Sequence, residues 1–243
     1  MAQNIYDTPE FFEGYSQLGR SVYGLAGAAE WPVIRSLLPD LKDKRVVDLG
    51  CGFGWFSRFA AEEGASSVLG LDLSGNMIAR ARAENAHQAI AYEIADLEHV
   101  GLPQSAFDLA YSSLAFHYLK DFGRLVRQVH AALVSGGKFV FTIEHPIYMA
   151  SANPGWRTDE AGRKFWPVDG YSVEGRRTTE WLAKGVVKYH RTVDTTLNTL
   201  IDNGFSIIRV VEWHPSPEQI AANPALAEEM ERPMILMVSA ERL

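Results

Sequence analysis

The chain of 243 residues is long enough for one or two domains, and a hydrophobic share of 47% supplies a full core. A formal net charge of −7 argues against a broad nucleic-acid-binding face, and no apolar run approaches the roughly 18 residues of a membrane span. One cysteine, Cys51, excludes a disulfide framework within the chain, and the opening residues Met1 to Asp7 lack the basic and apolar regions of a secretory leader, so a cytoplasmic location is expected.

Residues 1–43 read as a cap of short helices. Ile34, Leu37 and Leu38 have helical spacing, and Pro39 stops the run. The aromatics between Tyr6 and Tyr23 either roof a pocket or simply pack. An apolar run then ends in an acid and opens into three alternating glycines: Val46-Val47-Asp48-Leu49-Gly50-Cys51-Gly52-Phe53-Gly54. This is a buried strand leading into a tight turn, and residues 55–63 continue it as a helix stopped by Gly64. A strand, a glycine turn and a helix N-terminus make a cofactor cradle in open α/β sheets. Cys51 inside the turn reads as a small packed side chain rather than a reactive thiol.

A second run, Ser67 to Asp72, also ends in an acid, placed to accept hydrogen bonds from ribose hydroxyls. Ser74 then caps a helix with Met77, Ile78 and Ala81 on one face. Strands over 90–95 and 107–113 follow, the first leading to Asp96 and Leu97. The stripe Phe122, Leu125, Val126, Val129 and Leu133 predicts a helix stopped by Gly136-Gly137, before a fifth strand over 138–144. The alternation predicts a parallel sheet with helices on both faces. It breaks at His145-Pro146. Residues 146–190 are aromatic and irregular, read as a lid or substrate wall, with a hairpin or two short strands expected between Tyr171 and Tyr189. Residues 191–243 return to a helix over 193–203, a strand over 205–213 and a closing strand over 233–240.

The ordered motifs resemble the class I S-adenosylmethionine-dependent methyltransferases of the small-molecule type. The glycine motif Asp48-Leu49-Gly50-Cys51-Gly52-Phe53-Gly54, the run Asp72-Leu73-Ser74 through Met77, the pair Asp96-Leu97 and Ser135-Gly136-Gly137-Lys138 carry the resemblance, which covers roughly 44–145 and resumes over 188–240. It implies a single domain with a Rossmann-like sheet of seven mostly parallel strands, the last antiparallel. It further implies that Gly50, Gly52 and Gly54 lie against S-adenosylmethionine, Asp48 holds its amino group and Asp72 its ribose. Leu73 and Met77 would flank adenine, Asp96 would accept from its amino group beside Leu97, and Ser112 would offer backbone contacts near the methionine moiety. Tyr15 and Arg20 would close over the cofactor, Arg20 on its carboxylate.

The expected activity is methyl transfer to an O-, N- or C-nucleophile of a small-molecule acceptor. The alternatives are a non-catalytic S-adenosylmethionine-binding module and, from the near match to a dinucleotide fingerprint in which Ser57 stands at the third glycine, a nicotinamide oxidoreductase. A phenol, hydroxyl or ammonium acceptor must lose a proton, which suits a neutral histidine. Of the histidines near strand ends, His190 is the first candidate, then His145 and His117, with Tyr118 and Trp166 as pocket walls. No Cys/His spacing matches a metal site. A homodimer is compatible with the sequence.

Overall fold

A computed structural model describes residues 3–243; Met1 and Ala2, part of the stretch read for a leader, lie outside the described residues. The N-terminal cap consists of α1 (Pro9–Ser16), α2 (Gly19–Val22) and α3 (Trp31–Leu37). The core then alternates β1 (Arg45–Leu49), α4 (Trp55–Glu62), β2 (Ser67–Asp72), α5 (Gly75–Glu84), β3 (Ile90–Ile94), β4 (Phe107–Ser113), α6 (Phe122–Ala132) and β5 (Leu133–Glu144). The insert carries α7 (Pro146–Met149), a two-residue pair β6 (Arg157–Thr158) and β7 (Lys164–Phe165), and the hairpin β8 (Gly175–Trp181) and β9 (Ala183–His190). The chain closes with α8 (Val193–Asp202), β10 (Phe205–Glu212), α9 (Pro217–Ala222) and β11 (Ile235–Arg242).

Seven strands form one sheet in the order β10-β11-β5-β4-β1-β2-β3. β11 runs antiparallel to both its neighbours, so the other six share one direction. The last strand in sequence is thus the antiparallel one, inserted between β5 and the edge strand β10.

Central strands are near-continuous apolar runs because both of their faces are covered. Successive side chains alternate between two cores. Val47, Ala110, Phe139, Phe141 and Leu236 face one side, where Phe122, Leu125, Val126 and Val129 of α6 and Leu200 of α8 pack on them. Val46, Leu109, Tyr111, Val140 and Met237 face the other, against Ile34 of α3 and Phe56, Ala60 and Ala61 of α4. Among the described residues no helix is long and apolar enough to cross a membrane.

One boundary differs from the sequence expectation. Gly136-Gly137 do not stop α6, which ends at Ala132; Leu133 is already extended, fully buried and paired with Phe107. The glycines lie inside β5, Gly136 at φ +74°, where the pairing with β4 shifts register before Leu109 meets Lys138. The irregularity lets a buried leucine start the strand early. The expected hairpin in the insert is present, starting at Gly175 rather than Tyr171 and ending at His190.

Candidate active site

The order of strands reverses between β1 and β4, and the glycine turn leaves the C-end of β1 at that point, where open α/β sheets bind ligands. Gly50 and Cys51 donate their backbone N–H to Leu71 O at 2.7 and 2.9 Å, tying the turn to β2. A side chain at Gly50 would place Cβ 2.5 Å from Ala115 Cβ, and one at Gly54 would place it 2.3 Å from Tyr92 Oη. Those two glycines answer to protein packing. Gly52, at φ +54°, meets no protein atom within 4 Å, so its missing side chain leaves space for something else.

That space belongs to a cavity of about 410 Å³ lined by Asp48, Gly50, Gly52, Asp72 and Met77 on the sheet side. The cap brings Tyr6, Tyr15 and Arg20 to it, the segment after β4 brings His117 and Tyr118, and the end of β5 and α7 bring Glu144 and Tyr148. Trp181 at the hairpin tip completes the wall and meets Phe11 and Tyr15 edge-on. The cap is fixed by Asp7, whose carboxylate accepts from Ser74 Oγ and from the N–H of Gly75 and Asn76 at the start of α5. Tyr6, one residue before, donates its hydroxyl to Tyr118 at 3.1 Å.

Two strand-end acids face this space with different electrostatics. Asp48 is buried and accepts from Ser57 Oγ at 2.7 Å. Burial raises its carboxyl to about 7, against the pull of the Ser57 bond. Asp72 accepts from Gly52 N–H and Ser74 N–H, both at 2.9 Å, and burial again raises its carboxyl above the ordinary range. Arg20 pairs with the buried Glu30 at 2.9 Å, a partner that no spacing in the sequence points to. That pairing engages Nη2 alone, so a guanidinium with five N–H donors keeps capacity for a second carboxylate.

The far end of the cavity is built around Glu144, the last residue of β5. Lys188 of β9 reaches Glu144 Oε1 at 2.5 Å, with its ammonium 5.1 Å from the ring centre of Trp181 and 5.8 Å from that of Tyr118. His117 Nδ1 accepts from the Glu144 N–H at 3.4 Å, and its Nε2 lies 3.9 Å from Glu144 Oε1. With its Nδ1 lone pair engaged, the neutral ring carries its proton on Nε2, toward the carboxylate. Burial and the nearby Lys188 and Arg191 hold His117 well below the usual histidine range. It is a neutral donor here, with no lone pair left for a proton.

Of the residues singled out in the sequence, Tyr15, Arg20, Asp48, Gly50, Gly52, Asp72, Met77 and His117 line the cavity, as does Tyr118. Gly54 stands just behind, as the N-cap of α4. Leu73, Asp96, Leu97 and Ser112 are not in the lining. Asp96 accepts from Glu98 N–H in the turn after β3 and lies 3.0 Å from His99, while Leu97 is in the core. Ser112 donates its hydroxyl to Leu49 O at 2.6 Å, and its neighbour Ser113 lines the space.

The two leading histidines do not reach the lining either. His145 caps α7 by accepting from Ile147 N–H and holds Glu212 at 2.9 Å through Nε2. His190 is spent on Tyr171 O at 2.7 Å. Trp166 stacks on Tyr148 outside the lining. Glu144 and Tyr148 were missed as site residues. Glu144 carries the same signal as Asp48 and Asp72, an apolar run ended by an acid.

Comparison with known proteins supplies independent findings. Residues 47–141 match the family model described as "Methyltransferase domain". The crystal structure of an S-adenosylmethionine dependent methyltransferase from Mesorhizobium loti is 62% identical, with TM-score 0.87, covering 90% of this chain and 100% of that one. An uncharacterized protein of Haemophilus influenzae is 33% identical over 239 residues, which are 92% of this chain and 94% of that protein. A malonyl-[acyl-carrier protein] O-methyltransferase of Hamiltonella defensa is 37% identical over 103 residues, only 39% of its own length.

Proposed function

The chain belongs to the S-adenosylmethionine-dependent methyltransferases, and on that premise we propose that it methylates an O-, N- or C-nucleophile of a small-molecule acceptor bound in the cavity behind the glycine turn. S-Adenosylmethionine is its cofactor, and when bound supplies an electrophilic methyl group on a sulfonium. Family membership sets aside the nicotinamide reading.

The residues fit this group. The open space at Gly52 admits a ligand against bare backbone. Asp48 receives the cofactor's ammonium, Asp72 its ribose hydroxyls, and Met77 packs beside adenine. The free N–H groups of Arg20 take the carboxylate, with Tyr15 closing over it. Leu73, Asp96, Leu97 and Ser112 are not among the residues lining the cavity, so this reading rests no weight on the roles the resemblance implies for them.

A single observation carries the proposal. One cavity has strand-end acids and a glycine turn on one side, and on another the aromatic walls Tyr6, Tyr118, Tyr148 and Trp181. The first part suits a polar nucleoside, the second a small body of apolar character. Methyl transfer from a sulfonium needs placement and exclusion of water more than acid–base power. The half-buried aromatics supply both. Residues 1–43 and 146–190 act as cap and lid of one catalytic domain, working in the cytoplasm.

Incubation with S-adenosylmethionine and a small-molecule extract, followed by mass spectrometry, tests the reading. A methylated small molecule and formation of S-adenosylhomocysteine are expected. Transfer confined to the protein or nucleic-acid fraction would overturn the small-molecule assignment.

A further inference from the structure

The acceptor end of the cavity holds one charged pair whose two members are placed unequally. Glu144 lines the cavity, whereas Lys188 does not and lies behind it, with only 3% of its side chain exposed. A ligand therefore meets the carboxylate and the faces of Tyr6, Tyr118, Tyr148 and Trp181, while the balancing ammonium is screened from it. Lys188 occupies Oε1 of Glu144. The other oxygen, Oε2, is buried and has no hydrogen-bond partner among the described residues. Leaving a buried acceptor of a charged group unmatched is costly, and a donor brought by a ligand removes that cost.

The neighbouring groups narrow the ligand further. His117 contributes an N–H directed at the same carboxylate from 3.9 Å and has no free lone pair to offer. The Tyr6–Tyr118 hydroxyls are engaged with one another. Glu144 is the charged group at this end with an unmatched acceptor, and it sits among electron-rich rings, an environment that favours an ammonium over an anion. A carboxylate ligand would meet the Glu144 oxygens directly and the Lys188 ammonium only from behind them, so the nearer charge disfavours it.

We propose that Glu144 is the specificity-determining residue of the acceptor site and that the acceptor is an amine carried on an apolar or aromatic body, its N–H directed at Glu144. Lys188 and His117 are positioning residues that hold the carboxylate against the β5 end. This rests on the small-molecule methyl-transfer reading above and chooses N-methylation within it: the bound ammonium would give one proton to Glu144 Oε2, its freed nitrogen lone pair would form the N–C bond, and the methyl–sulfur bond would break with its electron pair left on sulfur. It also separates this chain from partial relatives named for a malonyl acceptor.

The test uses the full chain saturated with S-adenosylhomocysteine and three probes of one shape: phenethylamine, 2-phenylethanol and 3-phenylpropanoate. Calorimetric titration is expected to show the amine binding at least about ten-fold more tightly than either other probe, the size of one charge-assisted hydrogen bond. In Glu144→Gln the preference is expected to vanish while affinity for S-adenosylhomocysteine is unchanged. The comparison of probes on the unaltered chain stands even if the variant folds poorly. A carboxylate probe that binds as well as the amine, no binding by the amine, or a preference that survives Glu144→Gln overturns the proposal. Failure of S-adenosylhomocysteine itself to bind would instead overturn the cofactor reading beneath it.

Discussion

Replacing Asp48 with Asn separates the electrostatics of the cradle from its shape. In the ligand-free protein the buried Asp48 carboxyl keeps its proton up to about pH 7, whereas in the unfolded chain it loses it near 3.8. Between those values the folded state binds the extra proton, so stability falls as pH rises, at up to about 1.4 kcal/mol per pH unit. Across the whole window this amounts to about 4 kcal/mol at most, lost in full above pH 7. The asparagine side chain has no proton to lose, and its carbonyl can still accept from Ser57. The difference in unfolding free energy between Asp48→Asn and the parent should therefore grow in favour of the variant from pH 4.5 to pH 8. Urea titrations without cofactor measure it, and carboxylates common to both proteins cancel in the difference. The ionisable neighbours Cys51, Asp72, Tyr92 and Tyr111 are unchanged between the two. A difference that stays flat across this range would refute the reasoning. The cofactor's ammonium should reverse the balance, so affinity for S-adenosylhomocysteine rises from pH 5.5 to pH 7.5 in the parent and not in the variant.

The glycines divide by role: Gly52→Ala should weaken S-adenosylhomocysteine binding at least about ten-fold, with a stability loss of only about 1–2 kcal/mol for its left-handed backbone. Gly54→Ala, driven into Tyr92, should lose more stability than that, and thermal melts beside calorimetry distinguish the pair. Lys188→Met strands the Glu144 charge and should cost about 3–5 kcal/mol of unfolding free energy, with most of the loss relieved by the double replacement with Glu144→Gln. His190→Ala should cost about 1–3 kcal/mol by orphaning Tyr171 O and leave S-adenosylhomocysteine affinity untouched; a loss of affinity would place His190 nearer the site than its bond to the insert allows.

The parallel core was legible because strands buried on both faces must be apolar along their whole length, as in β1, β4 and β5. The same property hid the start of β5, since Leu133 fits the stripe of α6 as well as it fits the strand. Asp48 and Asp72 were readable because each ends such a run beside the glycine turn. Of the three histidines only His117 reaches the cavity. Position after a strand end gives a side chain's neighbourhood but not its direction, and His145 turns back to cap α7 instead of facing the cavity. The pairing of Glu144 with Lys188 spans 44 residues and depends on how the hairpin folds over β5, which no spacing records. Nor does spacing show that Asp96 turns its carboxylate to the loop that follows it.

Asp72 both belongs to the binding surface and shapes it. Its two oxygens already receive Gly52 N–H and Ser74 N–H, one from the glycine turn and one from the start of α5. A carboxylate offers about four lone-pair directions, so two remain, enough for a vicinal diol. On the proposed reading, the scaffold is assembled by the same atom pair that would take the sugar, and it stands ready before the sugar arrives. An alanine scan at this position would confound the two: the measured loss would sum a collapsed turn and a missing diol contact. The contact by itself is visible only from the ligand's side, by comparing the intact nucleoside with its 2′-deoxy and 3′-deoxy forms on an unaltered protein.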